Sequence, residues 1–316
     1  MGATLMEKKY RNLVKPLIVK SGPEGLYPEP RFWMESRDLE GLNVIFSYGF
    51  IKEPCICHPV SDELLLHPYD EVLIFAPIDA SGDILDLNAE ISICLGKENE
   101  EYTFYEAAAV VIPRGTPHGP VKVKWLEKPI AHYLVGLSSE YRADRVPKKT
   151  SAAPGTKYMR LIKPFRMARF CMSKKLMPPT AARSRFIPPG PGNAEQIVWF
   201  YGENLENIKL NVSWGFYSRP GIWHRIGRGG AHVHPVDEAL IFVGLDPNNL
   251  QYLGAEVEFA LGEEGERHLI KVPSAVIAPR NLVHCPEITL WVDKPYGFIV
   301  MCLDAEHETT WLPQEE

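Results

Sequence analysis

The chain lacks any apolar run approaching the roughly 20 residues a helix needs to span a bilayer, so a helical membrane protein is excluded. Its start, MGATLMEKKYRNLVKP, lacks the apolar centre of a signal peptide, which argues against secretion and for a cytoplasmic protein. Met6 stands where a myristoylation signal needs Ser or Thr. There is no long basic run and the net charge is −6, so the electrostatic footprint of a nucleic-acid binder is missing. Cysteine is sparse and dispersed; Cys55 and Cys57 form C-x-C, with no second pair at zinc-ribbon spacing. Free thiols in a reducing compartment follow. Helical patterning is scarce, with Glu195–Glu203 a short exception.

What is present is a chain of 316 residues, 45% hydrophobic and 23% charged, enough for one large or two ordinary domains with a proper core. The chain also repeats itself. Lys9-Tyr10 and Leu13-Val14-Lys15-Pro16 return as Lys157-Tyr158 and Leu161-Ile162-Lys163-Pro164, at an offset of 148. Leu42-Asn43-Val44 matches Leu210-Asn211-Val212 at 168, and His67-Pro68-Tyr69-Asp70-Glu71 matches His234-Pro235-Val236-Asp237-Glu238 at 167. Beyond that the offset is 166: Pro113-Arg114 matches Pro279-Arg280, His118 matches His284, and Trp125 matches Trp291, a pair suited to a shared core role. Ordered blocks at so long a period mean a duplicated domain rather than a solenoid. The growth in offset places an insertion between about Phe165 and Leu210, where Pro, Gly and Ala predict a long loop, a candidate lid. Arg142 to Lys157 is polar and breaker-rich and reads as a linker.

Short apolar or alternating runs dominate each copy, among them Val72-Leu73-Ile74-Phe75 and Glu256-Val257-Glu258-Phe259, separated by Gly, Pro, Asn and Asp. They predict strands, and two antiparallel barrels or jelly rolls fit them. The densest chemistry lies in the second copy. On a strand, residues two apart share a face, so His232 and His234 project together and Glu238 follows on that face. Imidazoles with a carboxylate suit Fe, Mn, Ni, Co or Zn, and His284 is the natural fourth ligand from another strand. In the first copy His67, Glu71 and His118 align with this set, but Leu65 takes the place of His232; His58 lies too far along the chain to be counted.

These motifs resemble the cupin superfamily, specifically its two-barrel members. His232-x-His234-x3-Glu238 follows the first cupin motif, and Pro113-Arg114-Gly115-Thr116-Pro117-His118 the second; Pro279 to His284 carries Asn281 for the glycine. The resemblance implies an all-β chain of two tandem jelly-roll barrels, residues 1–145 with a degenerate metal site and 157–316 with a full one. It implies a divalent transition metal on His232, His234, Glu238 and His284, with a possible second site at His67, Glu71 and His118. Arg114 and Arg280 stand just before the last histidine, where an arginine would either clamp a carboxylate substrate or close a turn; Glu238 and Arg280 are the candidate catalytic residues. Tyr217, Trp223, His224 and Arg225 precede the metal motif and read as rim or core. The expected function is a metal-dependent enzyme on a small polar or carboxylated molecule, with dioxygenase chemistry leading. The alternatives are a redox-neutral isomerase or decarboxylase and a non-catalytic small-molecule binder. The expected partners are a small-molecule substrate and a second copy of the chain, with no nucleic acid and no membrane.

Overall fold

A computed structural model describes residues 8–148, 151–167, 197–224 and 227–313. They form two β-barrels, each of an inner and an outer sheet. The second barrel's inner sheet runs Val14–Pro16, Ser274–Ala278, Glu238–Gly244, Tyr296–Cys302, Asn211–Tyr217, Ile197–Phe200. The first repeats that order with Ile162–Pro164, Ala108–Ile112, Glu71–Pro77, Ile130–Gly136, Ile45–Ile51, Arg31–Met34, and adds Val19–Lys20 at its edge.

Burial explains the two kinds of apolar pattern. EVLIFAP (Glu71–Pro77) and EALIFVG (Glu238–Gly244) are buried at every position, because both faces of an inner sheet meet protein. Leu73 and Phe75 face the first barrel's interior, while Val72, Ile74 and Ala76 pack in the seam with the second barrel. Across that seam the Tyr48 hydroxyl donates to the Gly244 carbonyl at 2.7 Å, and Trp214 Nε1 donates to the Tyr133 hydroxyl at 3.2 Å. Outer strands such as Ala255–Leu261 alternate, since one face meets solvent. Trp125 and Trp291 lie on such faces, 52% and 50% exposed, so their expected core role is corrected.

The sheets cross the expected division between 1–145 and 157–316. Val14–Pro16 pairs with Ser274–Ala278 of the second barrel, Val14 opposite Val276. Reciprocally, Ile162–Pro164 pairs with Ala108–Ile112 of the first, Ile162 opposite Val110. The repeated Lys-Tyr pairs anchor these arms. Tyr10 lies against Gly262 and Tyr158 against Gly96, both glycines at positive φ, and a Cβ on either would land on the tyrosine ring. Lys9 pairs with Glu264 at 3.2 Å and Lys157 with Glu98 at 2.6 Å.

Two further expectations change. The strand pairings place Phe46 and Val212 equivalently, each opposite the strand residue at Val135 or Met301, which makes the offset there 166 and not 168. The expected helix at Glu195–Glu203 is instead, where described, the strand Ile197–Phe200 and a 3-10 turn at Gly202–Leu205. Val198 and Phe200 are buried against the core, which overrides local helix propensity. The expected long loop lies mostly in residues 168–196, outside the described residues, as does Arg225. Among the described residues no helix is long and apolar enough to cross a membrane.

Candidate metal centres

His232, His234, Glu238 and His284 converge in the second barrel, all buried, with one ligand atom from each lying within 4.8 Å of the others. Strand pairing produces this directly. His232 sits opposite His284, and Glu238 opens the next inner strand. The rings of His232 and His284 are 4.2 Å apart at their centroids, those of His232 and His234 4.7 Å. Glu238 Oε2 lies 2.9 Å from His284 Nε2 and 3.5 Å from His234 Nε2. Asn281, replacing the motif's glycine, has φ +62 as Gly115 has φ +74; asparagine tolerates that left-handed backbone, so the departure leaves the turn intact.

The first barrel holds a matching cluster of His58, His67, Glu71 and His118, again within 4.8 Å and buried. The expectation of three ligands and a degenerate site is therefore corrected. Leu65 does occupy the place of His232, opposite His118. His58 enters from the neighbouring strand Cys55–Cys57 instead, its Nε2 lying 2.9 Å from Glu71 Oε1 and 3.2 Å from His118 Nε2. The register of that strand matches Gly221–Ile222 in the second barrel, which makes His224 the counterpart of His58. His224 stays behind His232, with ring centroids 5.4 Å apart. Gly119 permits the difference: a Cβ there would land on the His58 carbonyl, and the second copy has Cys285 at that position.

Hydrogen-bond directions decide what these clusters can hold. Nδ1 of His67, His118, His232, His234 and His284 each meets a backbone carbonyl, of Arg142, Thr116, Gly230, Glu308 and Leu282. A carbonyl only accepts, so each Nδ1 carries the proton and each Nε2 presents a lone pair to the cluster. His58 reaches the same state through a relay. His132 Nδ1 donates to the Ile74 carbonyl (3.1 Å), which leaves His132 Nε2 to accept from the Tyr27 hydroxyl (3.1 Å); the Tyr27 oxygen then accepts from His58 Nδ1 (3.2 Å). Burial lowers the pKa of His58, His232 and His234, and takes His67 down to about 4, so protons do not fill the gap at neutral pH. Each cluster is thus three lone pairs and a carboxylate with no donor among them; His67 Nε2, His234 Nε2, His284 Nε2, Glu71 Oε2 and Glu238 Oε2 have no hydrogen-bond partner. Buried acceptors facing one another call for a cation, and this donor set fits a borderline divalent metal.

No family model matches the chain, and no curated protein matches it. Solved structures do. Oxalate decarboxylase from Bacillus subtilis, in a structure concerned with its Mn(II) centres, superposes with a TM-score of 0.59 at 11% identity, covering 95% of this chain and 79% of that one. The same enzyme at pH 4.6 gives 0.56 at 12% over 95% and 78%, and a mutant of it gives 0.57 at 10% over 95% and 79%. The chain has the bicupin fold.

Within this fold, Arg280 stands outside the cluster. Its backbone N–H donates to Asp237 Oδ1 (2.9 Å), its guanidinium lies 3.4 Å from Oδ2 of the same carboxylate, and its side chain is 68% exposed. Arg114 repeats this on Asp70, 76% exposed. Both close a turn, and the structure places the Arg280 side chain outside the cluster, on Asp237. Sequence reasoning also missed what lies behind Glu238. The Cys302 thiol donates to Glu238 Oε1 (3.1 Å) and lies 3.3 Å from His307 Nδ1, and the His307 ring packs 4.7 Å from that of His234. Only strand register, Cys302 opposite Glu238, brings them there; the first barrel has Gly136 opposite Glu71.

Proposed function

We propose that this bicupin is a metal-dependent enzyme that removes carbon dioxide from a small carboxylate, a redox-neutral lyase rather than a dioxygenase. His58, His67, Glu71 and His118 would hold one divalent cation, and His232, His234, Glu238 and His284 a second, within barrels assigned to residues 1–145 and 157–316 apart from the exchanged arms. The observation that carries the reading is the convergence of three donor-less imidazole lone pairs on one carboxylate in each barrel. The structural neighbours named as oxalate decarboxylase favour decarboxylation over the oxygenase alternative.

A bound divalent cation supplies Lewis-acid polarisation of a carboxylate or carbonyl oxygen. The chain's own residues set the stage for it. Backbone carbonyls on five Nδ1 atoms, and the Tyr27–His132 relay on the sixth, lock ring orientation and tautomer. Burial strengthens every charge interaction in the site, and Cys302 orients the Glu238 carboxylate from behind. The four protein ligands would leave part of a bound cation's coordination sphere open to a substrate's oxygens.

The test is to load the protein with Mn(II), supply oxalate and other small mono- and dicarboxylates, and follow carbon dioxide release together with oxygen consumption. Release without net oxygen uptake is expected. Stoichiometric oxygen uptake would restore the dioxygenase alternative, and neither would leave a binding protein.

A further inference from the structure

The inner strands of the first barrel run from the metal cluster to an opposite mouth. Glu71 lies level with Gly136 and Ile45, whereas Pro77 lies level with Ile130 and Ile51. Six residues at about 3.3 Å each separate the two strand ends by roughly 20 Å, and Tyr27 spans part of that distance, lining the far end and hydrogen-bonding His58 of the cluster at 3.2 Å. At the far end is a cavity of about 230 Å³ whose lining includes Tyr27, Arg31, Lys52 and Cys57 of the first barrel and Asn248 and Leu250 of the second.

Arg31 is the unusual member. It is 4% exposed and sits in register with Gly49 beside Trp33, whose ring packs in the first barrel's core. Its Nε donates to Ser47 Oγ (2.6 Å), its Nη2 to the His132 carbonyl (2.5 Å), and its guanidinium stacks 3.9 Å over the Tyr27 ring. None of these partners is a carboxylate, and among the described residues Arg31 forms no ion pair. Glu29 lies at the exposed rim, where it faces Lys52 at 3.5 Å. The second copy has Ile197 in the equivalent strand position, so the barrel does not need a charge there. A guanidinium stays protonated, and burying one without a counter-ion is costly.

We propose that this cavity is a binding site for a small carboxylate, separate from both metal centres, with the carboxylate as the counter-ion of Arg31. The cavity falls below the roughly 300 Å³ at which clefts for drug-sized ligands begin, so the ligand is a short mono- or dicarboxylate. Arg31 is planar and forked and matches such a group in bidentate fashion. Asn248 and Leu250 close the mouth from the second barrel, so occupancy also bridges the two barrels.

The experiment is calorimetric titration of the full chain with acetate and malonate, and with acetamide as the neutral control, before and after chelation of metal. One carboxylate per chain is expected to bind after chelation, with any further binding confined to the metal-loaded protein, and acetamide is expected not to bind in either state. Arg31→Met should weaken binding about 30-fold or more. Asn248→Trp, which fills the mouth from an exposed loop without touching Arg31, should weaken it comparably and keeps the test valid if Arg31→Met fails to fold. Absence of carboxylate binding, binding unchanged in Asn248→Trp, or binding lost on chelation would overturn the proposal. The last outcome would assign the anion to the metal centres and leave the proposed chemistry there intact.

Discussion

The two barrels place the same four groups in the same space, yet they draw one histidine from different strands. In the second barrel His232 fills the position opposite His284, and His224 waits behind it. In the first, Leu65 fills that position and His58, the counterpart of His224, moves in. What duplication has kept is the arrangement of lone pairs, not the sequence positions that supply them. The supporting bonds diverge accordingly: five histidines rest on backbone carbonyls, while His58 rests on Tyr27 and His132.

That contrast can be broken at several points. The largest effect is expected from His232→Ala with His234→Ala, which should remove metal from the second centre and leave the first loaded. Metal analysis and the metal-dependent rise in Tm check this, since a ligand bound only to the native state stabilises it. Tyr27→Phe should weaken metal at the first centre about 10–100-fold, the usual scale for a lost supporting bond, with the second unchanged; Mn(II) titration followed by electron paramagnetic resonance resolves the two. Gly119→Ala should cost about 1–3 kcal/mol and weaken the first centre, because its Cβ meets the His58 carbonyl at φ +85; denaturant unfolding measures it.

A pH-dependent effect concerns a residue without counterpart in the first barrel. Glu287 is buried in the second, both carboxyl oxygens without a hydrogen-bond partner, where Val121 stands in the first. Burial pushes its pKa well above the ordinary 4.5. A raised folded-state pKa gives stability that is complete below the unfolded value and drains away as pH rises. Metal-free protein should therefore lose up to about 1.4 kcal/mol per pH unit above that value from this group. Glu287→Gln should flatten the slope in a Tm series against pH.

Much of this was legible in the sequence, and the failures are physical. The duplication, the strands and the second centre could be read because His232, His234 and Glu238 lie within one short segment whose period matches a strand. His58 could not, because its contribution depends on a strand pairing and on the glycine at 119, neither of which leaves a spacing signature. The two-residue slip at Leu42-Asn43-Val44 escaped notice because a shift by two keeps every side chain on its face. Trp125 and Trp291 recur at equal positions, but recurrence does not distinguish a core from an exposed outer face. Arg280 sits beside the cluster in sequence while Asp237 turns it outward. The exchange of the Lys-Tyr arms is invisible in a linear repeat, since either barrel offers the same docking glycine.

The most direct measurement is the number of Mn(II) ions retained per chain after equilibrium dialysis, in the unaltered protein and in His58→Ala. Two ions falling to one is the predicted result. A variant that still retains two, or an unaltered protein that retains only one, would contradict a first centre completed by His58.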